Sequence, residues 1–454
     1  MNEMQKTMRY GGVALALMLL AFLTRPSVPR PDAFFDKGEP FYPNFTDPNT
    51  ATSLEVIDYD EETGTAIPFK VQFKGGKWTI PSHHDYPADG KDRLAKTAAS
   101  VIGVTKDDIR SDNVADHEKC GVIDPLDDEA TSIKGRGKRV TIRGANDEVL
   151  ADFIIGKEVE GSQGYRFVRI PGQKRVYAAK IDVDISTKFS DWIEADLLKA
   201  SKDEFDQVVL RDYSVDERTG IVRQRDVLTL KKKDGVWTAD KMRADQEVDG
   251  TKMNEILKTL DDLKIVGVRP KPAGLSESLS RISGGVELTG EDLASLRSKG
   301  YFFSTNGQLL SNEGEVNALT EDGVEYTLRF GEVVYGTGEA VSAGTGEDGK
   351  ATGPAENRYL FITTAFKEKL FPEPEKPKNM EFQSKPDSLW TAEDRANKAL
   401  QDAHDEWQQK IDKGKERSES LNRRFARWYY VIPSESFDKL NLTRKELVVK
   451  KKDD

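Results

Sequence analysis

Three stretches of this chain carry residue types at a spacing that could do chemistry, and each also has a plainer explanation. His83-His84-Asp85 sets two imidazoles beside a carboxylate, all competent metal ligands. Adjacent residues on a strand point to opposite faces, so the two rings would not converge on one ion. The corresponding place later in the chain holds Met242 and Arg243, and the expectation is a solvated loop. His117 and Cys120 have the helical spacing of an imidazole-thiolate nucleophile. No third group can be named to orient them, and GVIDP after Cys120 reads as a turn, so Cys120 is expected as a small buried residue. Gly331 to Gly353, GEVVYGTGEAVSAGTGEDGKATG, looks like a phosphate loop, but Lys350 is followed by Ala351 and then the strand-like NRYLFI. A phosphate loop needs Lys-Ser or Lys-Thr opening a helix, so a hairpin loop is expected.

Lys134 to Arg139, KGRGKR, and the terminal KKKDD could meet anionic lipid or an acidic partner; solvated turns and tail are the default reading. Acidic pairs are too common in this chain for one to stand out. No catalytic residue, cofactor or metal ligand is therefore assigned. The chain has 454 residues, 37% hydrophobic and 32% charged, with a formal net charge of -11. That balance speaks against a nucleic-acid binder, which needs a basic face. One cysteine excludes an intrachain disulfide framework and a multi-cysteine zinc site.

The elements that would position any site fall into five stretches. Residues 1–30 contain the uncharged run Tyr10 to Thr24, YGGVALALMLLAFLT, between Lys6 and Arg9 on one side and Arg25 and Arg30 on the other. As a helix the run spans about 22 Å against a hydrocarbon core of roughly 30 Å. That length also fits a signal-peptide core. TRPSVPRP follows without an A-x-A site or a lipobox cysteine, so an uncleaved anchor is expected, with a cleaved signal as the rival. Residues 31–52 are rich in proline and aromatics and read as an extended linker.

An internal repeat follows. FKGGKWT at Phe73 to Thr79 and LKKKDGVWT at Leu230 to Thr238 each read as strand, glycine turn and tryptophan strand, the second with a turn two residues longer. LEVIDY at 54–59 matches VVLRDY at 208–213, Phe73 matches Leu230, and Trp78 matches Trp237 as a core anchor. After each tryptophan strand the period changes from two to about 3.6. Asp89 and Asp249 stand where an N-cap belongs. VTIR, LADFII and YRFVRI then match Tyr301 to Ser304, Tyr326 to Phe330 and Arg358 to Ile362, with Ile155-Gly156-Lys157 opposite Phe330-Gly331-Glu332. Short helical pieces with Phe189 and Trp192, or Phe366 and Phe371, close the units, giving unit boundaries of 53–199 and 200–373.

Residues 374–454 read as a linker, a long polar helix, a strand YYVIP and a basic tail. Heptad positions from Leu400 run through Trp407, Gly414, Leu421 and Trp428, with His404, Ile411, Ser418 and Phe425 between. The seam lapses at Gly414 and Ser418, so a helical hairpin or bent helix is expected.

The order GKWTI, capped helix, CGVIDP, DFIIGK, YRFVRI, VYAAK and DWIEADLL resembles the bacterial extracytoplasmic family called domain of unknown function 4340. The resemblance implies repeated α+β units behind an N-terminal membrane segment and an association with ABC transporters of the gliding-motility type. Its motifs are structural and carry no catalytic residues over. The expectation is an α+β chain of two tandem duplicated units of antiparallel sheet with a packed helix, plus an N-terminal membrane segment and a C-terminal helical segment. It would be a single-pass protein of the bacterial inner membrane, held through residues 10–24 with its bulk extracytoplasmic. Its expected role is a non-enzymatic accessory or scaffold subunit beside an ABC transporter permease or related envelope protein. The alternative is an anchored ligand-binding module for an envelope polysaccharide or peptide.

Overall fold

Period-two alternation becomes antiparallel sheet in both halves of the chain. The structure is a computed structural model that describes residues 13–15, 17–18, 20, 36–182, 185–216, 221–280, 288–304, 307–335 and 356–451. In chain order the first strands are β1 (Ser53–Asp60), β2 (Thr65–Lys74), β3 (Lys77–Ile80) and β4 (Tyr86–Pro87), then helix α1 (Lys91–Val101). After α1 come β5 (Asp108–Ser111), β6 (Lys138–Arg143), β7 (Val149–Glu158), β8 (Tyr165–Arg169) and β9 (Val176–Lys180). Their sheet runs β4-β3-β2-β1-β6-β7-β8-β9-β5.

The later strands are β10 (Phe205–Val215), β11 (Val222–Lys233), β12 (Val236–Ala239) and β13 (Gln246–Val248), then α2 (Gly250–Asp261) and β14 (Gly267–Pro270). They continue with β15 (Tyr301–Phe303), β16 (Leu309–Ser311), β17 (Glu315–Thr320), β18 (Val324–Tyr335) and β19 (Glu356–Phe366). Helix α3 (Ala392–Ala426), β20 (Trp428–Pro433) and β21 (Val448–Lys450) complete the set. The second large sheet runs β12-β11-β10-β17-β18-β19-β20-β14, while β13 with β21 and β15 with β16 form small ladders. Setting β4 aside, both large sheets therefore place a three-strand meander, four further strands and a returning strand in one order. The fold is α+β.

The hairpins are closer twins than their sequences indicate. Lys74 pairs with Lys77 and Lys233 with Val236, so both turns have two residues and the second is not longer. Both central residues of each turn have positive φ, as a type I′ turn requires. Opposite Trp78 stands Phe73, but opposite Trp237 stands Lys232, and Leu230 pairs with Ala239. The expected match of Phe73 with Leu230 is thus out of register. Neither tryptophan is a core anchor: both are half-buried, because β12 is an edge strand and β3 lies one strand from the edge. The fully buried tryptophan is Trp192. A second correction concerns Tyr301 to Ser304. Tyr301–Phe303 pairs with Leu309–Ser311 in its own ladder, and β17 takes the place beside β10 that β6 takes beside β1.

The capping prediction holds at Asp249, whose carboxylate accepts from the Thr251 and Lys252 amides at 2.9 and 3.2 Å. Such a cap contributes about 1 kcal/mol. It fails at Asp89, since Gly90 directly precedes α1 and the exposed Asp89 carboxylate accepts from none of its amides. The C-terminal helix departs from expectation, being continuous over 35 residues. Gly414 and Ser418 do not break the seam; they let α3 press onto β19. A methyl group at Gly414 would overlap the Phe366 ring, and the Thr364 hydroxyl donates to the Ser418 carbonyl at 2.8 Å. Buried Lys271 donates to the Phe425 carbonyl at 3.0 Å in the last turn of α3. After α3 the chain turns into β20, which sits between β19 and β14. The strand YYVIP is thereby an interior member of the second sheet.

Contacts divide the chain into two compact units, Met1–Ala51 with Ile57–Ala66 and Lys96–Asp184, and Thr52–Val56 with Ile67–Ala95 and Ile185–Asp454. In the first, aromatics of the expected linker are core residues. Phe41 meets Phe153 and Tyr177 edge-on at 5.4 and 5.2 Å, and the Tyr177 hydroxyl donates to Asp36 at 2.6 Å. In the second, Phe69 packs on Trp192 at 5.7 Å. Among the described residues no helix is long and apolar enough to cross a membrane. Val13–Leu15, Leu17, Met18 and Leu20 of the 10–24 run are helical and exposed, and the rest of that run lies outside the described residues.

One local device occurs in each unit. β7 bulges after Ile155 and β18 after Phe330, so Glu158 comes opposite Arg166 and Val333 opposite Arg358. Arg166 donates to the Gly156 carbonyl at 2.9 Å, and Arg358 donates to the Gly331 carbonyl at 2.7 Å. A methyl at Gly156 would overlap the Cys120 carbonyl oxygen, and one at Gly331 the Lys299 carbonyl oxygen. Cys120 ends a short helix, and Lys299 follows one. Gly156→Ala and Gly331→Ala should each lower stability by about 3 kcal/mol, since backbone must move to admit the methyl. Gly250→Ala, with open space around it, should change it by less than about 1 kcal/mol; urea midpoints of the three variants test this. Gly414→Ala should destabilise as well, because a clash of about 1–3 kcal/mol outweighs a helix-propensity gain near 1 kcal/mol.

Candidate functional site

Among the described residues, those with chemical promise do not assemble into an active centre. His83 lies in a 3-10 turn, buried and stacked on Phe189 with centroids 4.6 Å apart, while His84 is exposed. The expected solvated loop is wrong for His83, because the aromatic side chains around it exclude water. Its Nδ1 lies 3.1 Å from the Ser82 hydroxyl, and its Nε2 is buried without a hydrogen-bond partner among the described residues. Burial, reinforced by the positive charges of His84 and Arg269, pushes the imidazole pKa down to about 4.

His117 Nε2 is 2.8 Å from the Lys174 carbonyl, which can only accept. Cys120 is buried, and burial with nearby Asp116 pushes its thiol up, away from the thiolate a nucleophile needs. Gly331 to Tyr335 belong to β18, and 336–355 lie outside the described residues. Among the described residues, no three or more His, Cys, Asp or Glu side chains are arranged to hold a metal.

The KGRGKR cluster is largely spent inside the fold, which corrects its reading as solvated turns. Arg136 donates to the carbonyls of Asp124, Asp127, Ala130 and Ser132 at 2.9 to 3.2 Å, pinning the loop before it. Arg139 bonds Asp152 and Asp124 at 2.8 and 3.1 Å, and Lys138 pairs with Asp58 at 2.8 Å. Only Lys134 is left exposed. Of the terminal KKKDD, Lys450 ends β21, and 452–454 lie outside the described residues.

The candidate site is instead a cleft of about 500 Å³. Its floor is Tyr86 and Trp428, edge-to-face at 5.1 Å and only 7% and 5% exposed. Three arginines rise beside it: Arg423 and Arg424 in the last turn of α3 and Arg427 at its end. Arg423 and Arg427, four residues apart, share one side of the helix. Arg424 donates to Glu194 at 2.9 Å and to the Asp196 carbonyl at 3.2 Å. Glu194 also pairs with Lys199. Arg423 and Arg427 are exposed and have no carboxylate partner among the described residues, the Arg427 guanidinium lying 5.8 Å from the Trp428 ring centroid.

A second cleft of about 490 Å³ makes the contrast. Its Arg444 is tied to Asp226 and Asp240 at 3.0 and 3.2 Å, and its Arg225 to Asp212 at 2.6 Å. Both arginines of that cleft are paired with carboxylates, though its exposed Lys445 is not, whereas two of the three arginines of the first cleft have no such pair among the described residues. Sequence reading passed over the first cleft, although Arg-Arg-x-x-Arg-Trp in so acidic a chain was a usable signal.

His83 supplies a pH test. In the unfolded chain a histidine titrates near 6.5, so unfolded protein binds more protons between about pH 6.5 and 4. The neutral imidazole's contribution is complete above that window and is lost as pH falls through it, up to about 3 kcal/mol. His83→Phe should flatten this part of the stability-pH curve; an unchanged difference between pH 7 and 4.5 would refute the assignment.

The family described as Domain of unknown function (DUF4340) matches residues 78–278, from Trp78 into the helix after β14. No curated protein and no solved structure matches the chain.

Proposed function

We propose, for a chain whose residues 78–278 belong to the DUF4340 family, a non-enzymatic role as an accessory or scaffold component of an ABC-type transport or motility-like complex in the bacterial envelope. The observation that carries this reading is the chemistry of the cleft. Guanidinium groups stay protonated at any working pH, so they recognise anions but do not exchange protons or attack. A concave site lined by arginines and aromatic edges is built to bind.

The matching strand order of the two sheets and the repeated bulge-glycine device support two copies of one α+β unit in tandem. In this reading residues 10–24 hold the chain in the inner membrane as a single span, with the bulk extracytoplasmic, beside a permease or related envelope protein. Affinity purification of the full chain from gently detergent-extracted membranes should recover integral membrane partners. Repeated recovery of the chain alone would overturn the proposal.

A further inference from the structure

The two cleft arginines left unpaired among the described residues indicate what kind of partner docks there. We propose that the cleft over Tyr86 and Trp428 receives a carboxylate-rich peptide segment of a partner protein, clasped by Arg423 and Arg427; this rests on the partner-binding role above.

Charge complementarity is the first support. The chain carries a net charge of -11, yet here three arginines meet two carboxylates, and among the described residues neither Arg423 nor Arg427 is ion-paired. Of the two lining carboxylates, Glu194 is held by Arg424 and Lys199, and exposed Asp89 makes no ion pair with either arginine, so two guanidiniums face at most one free carboxylate. A planar guanidinium presents paired donors that match a carboxylate two to one, and two of them on one side of the helix can grip successive acidic side chains.

A cation in the last turn of a helix also complements the helix dipole. Lys271 already serves that end by donating to the Phe425 carbonyl, and Arg427 lies beyond the last helical residue.

The floor narrows the choice further. With Tyr86 and Trp428 almost wholly buried, no ring face is open for a pyranose to stack on. The ring edges leave a shallow apolar strip suited to an aliphatic side chain, and the volume is that of a short peptide segment. A peptide alternating acidic and aliphatic residues satisfies both features, and a polyuronate satisfies only the first.

The probe is a fluorescein-labelled peptide of alternating glutamate and leucine, followed by anisotropy against the purified full chain in detergent. Saturable binding is expected, weakened at least about ten-fold by Arg423→Ala with Arg427→Ala. It should be partly retained with lysine at both positions, lost with a glutamine peptide, and weakened by salt. Lys231→Ala with Lys233→Ala removes the same charge from exposed positions of β11 and should leave binding unchanged. Thermal unfolding of the arginine variant should match the parent, which excludes misfolding as the cause of any loss.

Equal binding by the arginine variant, no saturable binding at millimolar peptide, or binding of oligogalacturonate in place of the peptide would each overturn the proposal. If the arginine variant still co-purifies the parent's membrane partners, the scaffold reading stands and the cleft assignment falls. If arginine-dependent peptide binding is seen but no partner co-purifies, the reverse holds.

Discussion

The fold rests on a close approach between backbone and backbone that only glycine permits. At Gly156 and again at Gly331 a bulged strand turns its carbonyl toward an arginine on the next strand, and a carbonyl from the end of a helical segment presses where a side chain would be. A buried carbonyl without a partner costs about 1–3 kcal/mol. The charged donor therefore stabilises the bulge itself, while the bulge makes room for the crossing chain. Because both sheets carry the device at the same step in strand order, it fixes where the segment after the helix re-enters each sheet. In the first unit that segment is the CGVIDP stretch, held again by buried Arg169, which donates to the Val122 carbonyl at 2.8 Å.

Features written in local spacing were legible in the sequence. Strand alternation, the Asp249 cap and the pairing of Gly156 with Gly331 all depend on near neighbours, and the structure bears them out. Features set by distant partners were not. Hydrophobicity marked Trp78 and Trp237 as interior, but whether a strand lies at a sheet edge depends on the rest of the sheet. It also favoured the apolar Tyr301–Phe303 over β17, whose polar residues are buried with their partners. Glu315 pairs with Arg329 at 3.2 Å, and Asn317 donates to Thr327 at 2.9 Å. Gly414 and Ser418 looked like gaps in a helix-helix seam because the surface opposite is a sheet, against which small residues give the better fit.

The cleft was invisible for the same reason. Its floor joins Tyr86, just after a buried histidine turn, to Trp428, the first residue of a strand near the other end of the sequence. Nothing local to either residue announces the other. The arginines were visible as letters, but whether each was already paired could not be read. Arg136 and Arg139, in the more conspicuous basic cluster, are consumed internally, while the less conspicuous Arg423 and Arg427 are left over.

The position of β20 bears on how the chain is made. β14 pairs only with β20 in the second sheet, and β19 reaches β14 only through it. A ribosome must therefore finish α3 and the strand after it before the sheet can close. Until then two strand edges stand open, and exposed edges invite pairing with other chains. A nascent or prematurely terminated chain ending within α3 would be a client for chaperones or proteases, although most of its sheet residues had already been synthesised.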